Sequence, residues 1–319
     1  MRALITGGAG FIGSHLADRL RARGDQVVLL DDLSTGRLAN IAHLQGDPDA
    51  EFVLGSILNA DLVDHVTSRV DAVYHLAAAV GVNLIVEKPL ECLMTNIRGT
   101  ETVIEKAHKY SKRVLVTSTS EIYGKNTSDR LSEDDDRILG SPLKSRWSYS
   151  EAKAIDEILA YTYWREKGLE TVIVRLFNTV GPRQTGSYGM VIPRFVSQAI
   201  RSEPLTVFGD GSQTRCFCGV DDVVGGILDL SESPGALGRV FNLGGSEEIS
   251  ISDLADRVVK LASSTSTIEY IPYDQAYEEG FEDMERRVPD TTRARDQVGF
   301  SPTASLDEII SAVIADHQS

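Results

Sequence analysis

A cluster of glycines between a short apolar run and an amphipathic segment constrains the fold most strongly. The run "RALIT" is typical of a strand and "FIGSHLADRLRARG" of a helix, and Gly7, Gly8, Gly10 and Gly13 lie in and just after the turn between them. These glycines satisfy both G-x-G-x-x-G and G-x-x-G-x-x-G, which allow a tight turn and close approach of the backbone to a ligand. A strand, a glycine turn and a helix in that order predict a βαβ unit with an anion site at the helix N-terminus.

Further apolar runs repeat this alternation, namely "QVVLLDD", "DAVYHLAA", "RVLVTST" and "TVIVRLF". Strands rich in Val, Leu and Ile that alternate with helices indicate a parallel sheet with helices on both faces. We therefore predict a doubly wound α/β domain over residues 1–175 and a smaller C-terminal α+β substrate lobe over 176–319, where Gly and Pro are more frequent. We expect the boundary to be interleaved and the lobe to pack over the carboxyl ends of the strands.

An acidic pair follows the second predicted strand. Asp31 and Asp32 lie 18 and 19 residues after Gly13. A carboxylate there can accept hydrogen bonds from a ribose diol and would repel a 2′-phosphate. The pattern favours NAD over NADP, with Arg37 as the nearby feature that would suit a 2′-phosphate. The alternative is a glycine turn that serves packing alone.

The charge balance limits the classes of partner. The chain has 32 basic and 47 acidic residues, a net charge of −15, which argues against non-specific binding to nucleic acid or an anionic membrane. No apolar run approaches the roughly 20 residues of a membrane span, and "MRALITGGAG" lacks a signal-peptide pattern. Three cysteines form neither a disulfide framework nor a metal site, so we expect a cytoplasmic protein without a metal. The acidic clusters at 132–137 and 277–286 are interpreted as solvated surface.

The stretch "WSYSEAK" contains a second chemical signal. Tyr149 and Lys153 are four residues apart and would share one face of a helix. A free Tyr, with a pKa near 10, is a poor base at neutral pH, but an adjacent ammonium together with the positive nicotinamide ring lowers that pKa. The strand "RVLVTST" would deliver Thr119, Ser120 and Glu121 to the same place. We therefore expect Tyr149 to accept a proton from a sugar hydroxyl, with the alternative that it merely begins an amphipathic helix.

Nine motifs in order resemble the extended short-chain dehydrogenases that modify nucleotide sugars: "TGGAGFIG", "DDLSTG", "HLAA", "TSTSEIYG", "YSEAK", "RLFNTVGPRQ", "GDGSQTRCF", "VDDVV" and "RRVPD". The resemblance covers nearly the whole chain. It implies a Rossmann domain that binds NAD, a C-terminal lobe that binds a nucleotide diphosphate sugar, and a homodimer formed through a helical bundle.

The resemblance also implies site residues. The catalytic set is Thr119, Ser120, Glu121, Tyr149 and Lys153. The expected NAD site also uses Tyr149 and Lys153 and otherwise comprises Gly7, Gly10, Phe11, Ile12, Gly13, Asp31, Asp32, Ser34, Thr35, Gly36, Ser56, Ile57, Leu76, Ala77, Ala78 and Asn96. The expected UDP-sugar site also uses Thr119 and Ser120 and otherwise comprises Asn178, Thr179, Val191, Arg194, Thr206, Phe208, Arg215, Arg287 and Asp290.

Within that site the roles differ. The diphosphate ligands would include Asn178, Arg215 and Arg287, because Arg forms forked hydrogen bonds to phosphate oxygens. By resemblance, Asp290 would bind the ribose and Phe208 would cover the uracil. Each arginine could instead form a structural ion pair with the abundant acidic residues.

Two positions depart from the family pattern. Ser56 stands where many relatives have an Asp that contacts adenine, and a hydroxyl could replace that contact more weakly. Gly219 stands where an aromatic residue or His is usual, which we expect to leave room beside the diphosphate.

Members of this family begin by oxidising the sugar at C4 and differ in the later steps. Ser120-Glu121 replaces the Asp-Glu pair of dehydratases, so dehydration is disfavoured. The segment before Tyr149 is similar to that of hexuronate-acting relatives, and Arg194 is a candidate partner for the C6 carboxylate. We expect a UDP-glucuronate 4-epimerase in which the 4-keto sugar rotates and hydride returns to its opposite face.

Three alternatives remain open. UDP-glucuronate decarboxylases share Thr-Ser-Glu and a later Arg, which Thr119, Ser120, Glu121 and Arg287 match. Arg287 has the same diphosphate-binding position in epimerases, so it does not discriminate alone. A UDP-glucose 4-epimerase is the next alternative. A regulatory dinucleotide-binding protein with a relic active site is the alternative outside enzymes, and the retained Thr119, Tyr149 and Lys153 argue against it.

Overall fold

A computed structural model of the protein describes residues 1–79, 88–144, 147–186, 190–272, 275, 284 and 286–318. Most of the acidic cluster at 277–286 lies outside these residues. The α-helices are α1 (Phe11–Ala22), α2 (Ala60–Thr67), α3 (Pro89–Lys109), α4 (Ser148–Lys167), α5 (Val191–Ile200), α6 (Val220–Glu232), α7 (Ile251–Leu261), α8 (Thr292–Val298) and α9 (Leu306–Gln318). Short 3₁₀ helices span Leu38–Leu44, Ser120–Tyr123 and Pro234–Ala236.

The strands form one large sheet and three small ones. They are β1 (Arg2–Thr6), β2 (Gln26–Asp31), β3 (Ala50–Leu54), β4 (Ala72–His75), β5 (Arg113–Thr119), β6 (Thr171–Leu176), β7 (Thr179–Val180), β8 (Leu205–Phe208), β9 (Thr214–Cys216), β10 (Cys218–Gly219), β11 (Val240–Leu243), β12 (Glu248–Ser250), β13 (Ile268–Ile271) and β14 (Arg286–Arg287). The large sheet has the order β11-β6-β5-β4-β1-β2-β3, and every pairing in it is parallel.

Alternate residues of each strand bury opposite faces of this sheet. Ala3 and Ile5 pack with α1 and α6, whereas Leu4 packs with α2, α3 and α4. Because both faces are covered, the strands are continuously apolar, which is the pattern their sequences show. The prediction of a doubly wound α/β fold is confirmed.

A separate core holds the smaller lobe together. It joins the buried faces of α5, α7 and α9 to β8, through residues such as Phe195, Leu254 and Ile310. The chain also returns from this lobe to the large sheet, because α6 packs on one face and β11 pairs with β6 in parallel.

The parallel arrangement brings the carboxyl ends of β1, β2, β4, β5 and β6 to one edge, where ligands of open α/β sheets bind. The segments that follow these strands form one side of a cavity, and the smaller lobe forms the other. Within the described ranges, no helix is long and apolar enough to cross a membrane.

Candidate active site

The cavity at this edge has a volume of about 670 Å³, within the usual range for ligand sites. Most of the residues expected to bind ligand line it. From the cofactor set these are Gly7, Gly10, Phe11, Ile12, Gly13, Asp31, Asp32, Ser34, Thr35, Ile57, Leu76, Ala77, Ala78 and Tyr149. From the catalytic and substrate sets they are Thr119, Ser120, Glu121, Asn178, Thr179, Val191, Arg194, Phe208, Arg215 and Arg287.

The glycine turn between β1 and α1 lets a ligand come close to the backbone. Gly7 has φ +72°, and a Cβ added to Gly13 would lie 2.1 Å from the Gly7 carbonyl oxygen. No side chain caps α1 at Gly10, and its first turn contains no acidic residue. The N–H groups at the start of α1 are therefore available to an anion, so the loop fits the pyrophosphate of a dinucleotide.

The two members of the acidic pair after β2 have different surroundings. The Asp31 carboxylate is buried, and it accepts hydrogen bonds from Ala9 N at 2.9 Å and Leu33 N at 2.8 Å. Burial raises the pKa of this carboxyl. Asp32 is exposed and lines the cavity. Asp31 thus braces the glycine loop, and Asp32 is the more solvated of the two carboxylates that line the cavity.

Four residues of the expected NAD site do not line the cavity. A Cβ on Gly36 would lie 2.6 Å from Asp31 Oδ1, so this glycine makes room for that carboxylate. Ser56 Oγ accepts a hydrogen bond from Leu58 N. Asn96 is buried and bonds both backbone groups of Ala79, which does line the cavity. The fourth, Lys153, is 2% exposed and donates to Asp156.

The reacting groups come from β5 and α4. Thr119 ends β5, and its hydroxyl accepts from Glu121 N at 3.2 Å. Ser150 Oγ donates to the Glu121 carbonyl at 2.9 Å, which ties α4 to this turn. Tyr149 lies one residue earlier on α4, is 8% exposed and lines the cavity.

The expectation of a lowered Tyr149 pKa includes the charge of a bound nicotinamide and stays a prediction. Burial raises the pKa of Tyr149, and the charges of Glu121 and Asp156 and the nearby Cys92 raise it further. Burial is the main cause, and Asp156, whose Oδ2 accepts a hydrogen bond from Lys153 Nζ at 2.7 Å, adds to it.

Two arginines lie side by side in the small sheet of β9, β12 and β14. Arg215 on β9 and Arg287 on β14 are register partners, and both line the cavity. Arg287 Nη1 also lies 3.5 Å from Glu121 Oε1 and 3.5 Å from Ser120 Oγ. Like charges side by side on adjacent strands repel, so an anion that binds both arginines would relieve the repulsion.

Arg194 is at the other side of the cavity. Its guanidinium stacks on the Phe208 ring at 4.2 Å and donates to the Thr206 carbonyl at 3.0 Å. Phe208 is the residue expected to cover the uracil, so Arg194 lies beside the expected uracil site. Its role as the partner of the C6 carboxylate stays a prediction.

Three expected features lie away from the cavity. Thr206 does not line it, and its hydroxyl accepts a hydrogen bond from Gln198. Asp290 accepts from Thr292 N and lines a second, separate cavity of about 450 Å³. A Cβ on Gly219 would face Ala304 and Ile309, so this glycine makes room for the segment before α9 and not for a diphosphate.

Sequence reasoning missed several residues that line the cavity in the segment after β7, among them Arg183 and Gln184. Arg183 has φ +67° and forms an ion pair with Asp18 at 2.8 Å, and Gln184 donates to the Thr179 carbonyl. The sequence signal for these two residues is "GPRQ", the end of one of the motifs that resemble the family. The motif by itself gives neither side chain a role.

Comparison with known proteins gives a consistent result. Residues 3–244 match the model of the NAD dependent epimerase/dehydratase family. The chain is 40% identical to UDP-N-acetyl-alpha-D-glucosaminuronate decarboxylase of Bacillus cytotoxicus, over 98% of this chain and 96% of that protein. It is 37% identical to UDP-glucuronic acid decarboxylase 1 of Arabidopsis thaliana, over 99% of this chain and 69% of that protein.

A solved structure is also similar. The UDP-glucuronic acid 4-epimerase of Bacillus cereus, in complex with UDP-glucuronic acid and NAD, superposes with a TM-score of 0.89 at 30% identity, covering 100% of this chain and 99% of that one. The matched family is NAD-dependent, which confirms NAD as the expected cofactor. The glycine turn, the parallel sheet and the family match agree, and the chain belongs to the NAD-dependent epimerase/dehydratase family.

Proposed function

We propose that this enzyme is a UDP-hexuronate decarboxylase, which oxidises the sugar at C4 and then releases the C6 carboxyl group as CO2. The observation that carries the proposal is the contact of Arg287 with both Ser120 and Glu121 at the end of β5. The expected 4-epimerase becomes the second candidate. Sequence similarity supports placing the decarboxylase first. The two decarboxylases are 40% and 37% identical to this chain, and the 4-epimerase of Bacillus cereus is 30% identical to it.

The two sides of the cavity suggest how the substrate binds. Arg215 and Arg287, register partners on adjacent strands, can bind the diphosphate together. Phe208, stacked on Arg194, offers an aromatic face for the uracil. This orientation directs the sugar toward Thr119 and Tyr149, which line the same cavity. The substrate is therefore a UDP-sugar with its C4 hydroxyl near the Tyr149 phenol.

The first step is common to both candidates. NAD, when bound, accepts the hydride that leaves C4. Tyr149 takes the proton of the C4 hydroxyl, and the Thr119 hydroxyl donates a hydrogen bond to the same oxygen. The product is a ketone at C4 with a carboxylate on C5, which is a β-keto acid.

The second step decides between the candidates. CO2 leaves when the bond between C5 and C6 aligns with the C4 carbonyl, because its electron pair then enters the carbonyl and forms an enolate. Glu121 takes up a proton from solvent and passes it to C5, and Arg287 pairs with the carboxylate that remains. An epimerase instead keeps the carboxylate in the plane of the ring and turns the ketone over.

The test is an NMR and mass-spectrometric time course of the purified protein with UDP-glucuronate and, separately, with its 2-acetamido analogue. UDP-xylose or a UDP-4-keto-pentose, one carbon shorter than the substrate, would support the decarboxylase. UDP-galacturonate would support the 4-epimerase. Conversion of UDP-glucose to UDP-galactose alone would refute both hexuronate proposals.

We also propose that the protein is a homodimer. Ile155, Ile158 and Tyr161 recur every three residues on α4 and are 38%, 61% and 41% exposed. Leu90, on the neighbouring α3, is 70% exposed. An apolar stripe on a helix that packs against a second helix suits a four-helix contact with another copy of the chain.

A further inference from the structure

A buried carboxylate accompanies the lysine of the Tyr-Lys pair. Asp156 lies three residues after Lys153 on α4, and Lys153 Nζ donates to its Oδ2 at 2.7 Å. The side chain of Lys153 is 2% exposed and that of Asp156 is 0% exposed. Tyr149 lies one turn earlier on the same helix, so the three side chains follow one another along the buried face of α4.

Fold stability does not account for this carboxylate. Replacing a buried ion pair with apolar side chains of similar volume is often neutral or stabilising, because desolvation offsets most of the attraction. Asp156 Oδ1 is buried and has no hydrogen-bond partner in the described part of the chain, which adds to the cost of burial. Asp156 is therefore better explained by its effect on Lys153 than by its contribution to folding.

We propose that Asp156 is a positioning residue, which holds Lys153 and sets the pH range in which Tyr149 acts as a base. The inference rests on the proposed function only in that Tyr149 is the base of the C4 oxidation. It concerns a residue of α4 that does not line the cavity. It acts through the lysine that it binds.

Asp156 differs from the other titratable groups near Tyr149 and Lys153. Tyr149 faces Glu121 from the turn after β5 and Cys92 from α3, besides Asp156 on α4. Glu121 is itself paired with Arg287. His75 on β4 faces Lys153, but burial and the lysine charge lower its pKa to about 3, so it adds no positive charge. Of the acidic groups near Tyr149, Asp156 is the one that also binds the lysine.

The direction of the effect follows from these charges. A phenolate is disfavoured by a nearby carboxylate and favoured by a nearby ammonium. Asp156 disfavours the phenolate in two ways. Its charge raises the pKa of Tyr149, and its hydrogen bond engages the ammonium of Lys153. Removing the carboxylate charge should lower the pKa of Tyr149, and the proton-acceptor form of Tyr149 should then appear at lower pH.

The experiment is an NMR titration of the NAD-loaded protein that carries ¹³C at the ζ carbon of every Tyr, with Tyr149→Phe to assign the signal. In Asp156→Asn we expect the Tyr149 titration to move down by about one pH unit or more. Asp156→Glu, which restores a carboxylate, should return the titration toward that of the natural protein. Glu157→Gln is the matched control, because Glu157 is the next residue and binds Arg175 instead of Lys153.

A Tyr149 titration in Asp156→Asn at the pH of the natural protein would overturn the proposal. If the Asn variant does not fold, Asp156→Ala replaces it. If both variants unfold while Glu157→Gln folds, Asp156 is a structural residue and the proposal is overturned. Because no sugar is added, a shifted titration in a protein that fails to convert any UDP-hexuronate would uphold the inference and refute the proposed function.

Discussion

Arg287 Nη1 lies 3.5 Å from Glu121 Oε1, and the two side chains are only 12% and 16% exposed. The contact joins β14 of the smaller lobe to the turn that follows β5 of the large sheet. It joins the arginine expected to bind the diphosphate to the carboxylate expected to take part in the chemistry. The proposed decarboxylation uses this contact.

Loss of the Arg287 guanidinium should therefore remove both substrate binding and chemistry. We expect Arg287→Gln to lower kcat/KM for UDP-glucuronate by about 10²-fold or more, since a buried, charge-assisted contact is lost. NAD affinity, measured by calorimetry, should stay unchanged. Arg286→Gln is the control, because Arg286 is the preceding residue and pairs with Glu248 at 42% exposure. Equal losses in both variants would contradict the role given to Arg287.

Substitution of Glu121 should separate the two steps. We expect Glu121→Gln to retain reduction of NAD by the sugar nucleotide, detected as an absorbance increase from NADH, and to slow formation of the shortened sugar by about 10²-fold. Glu151→Gln is the control, since Glu151 lies on α4 but pairs with Arg137 at the surface. Unchanged formation of the shortened sugar would show that Glu121 is not the acid.

Removal of the Tyr149 hydroxyl tests the role of this residue as the base. We expect Tyr149→Phe to lose at least about 10³-fold in turnover while it still binds NAD. Tyr163→Phe removes a phenol from the same helix, where the Tyr163 ring contacts His108, and should retain activity. Activity of Tyr149→Phe similar to that of the natural protein would refute the mechanism.

The glycine turn should tolerate no side chain at Gly13. We expect Gly13→Ala to abolish NAD binding or to lower the melting temperature markedly, because its Cβ would lie 2.1 Å from the Gly7 carbonyl oxygen. Gly225→Ala, in α6, would place its Cβ 3.7 Å from Arg19 Nη2, an ordinary contact, and should raise stability by up to about 1 kcal/mol. Calorimetric titration with NAD and thermal unfolding of both variants check this comparison.

The apolar stripe on α4 should control assembly. We expect Ile158→Lys to convert a dimer to a monomer in light scattering, because a charge would enter a buried apolar contact. Leu38→Lys is the control, as Leu38 is 53% exposed and lies on a 3₁₀ helix away from α4. A natural protein that is already monomeric, or an Ile158→Lys variant that remains dimeric, would contradict the proposal.

Local patterns were enough to predict the fold and much of the cavity. The glycine turn and the apolar runs depend on neighbouring residues, so their spacing in the sequence predicts their structure. The residues at and just after the end of β5, from Thr119 to Glu121, line the cavity for the same reason. The stacking of Arg194 on Phe208 could not be predicted, because the two residues lie on different elements and sequence spacing does not reveal such a contact.

The effect of Lys153 on Tyr149 could not be predicted from spacing. The spacing identifies the pair, but Asp156 also lies within one helical turn of Lys153 and looks like an ordinary helix position. Burial decides the outcome, because a solvated carboxylate at this position would be screened and a fully buried one is not. Asp290 and Gly219 lie away from the cavity for a related reason, since their surroundings are made by α8 and by the segment before α9.

The most direct test of decarboxylation traces the fate of one carbon atom. UDP-glucuronate labelled with ¹³C at C6 is incubated with the purified protein, and the label is followed by NMR in a sealed tube. We predict that the label leaves the sugar nucleotide and appears as CO2 and bicarbonate, at the rate at which the shortened sugar forms. Retention of the label in UDP-galacturonate would contradict decarboxylation and establish the 4-epimerase in its place.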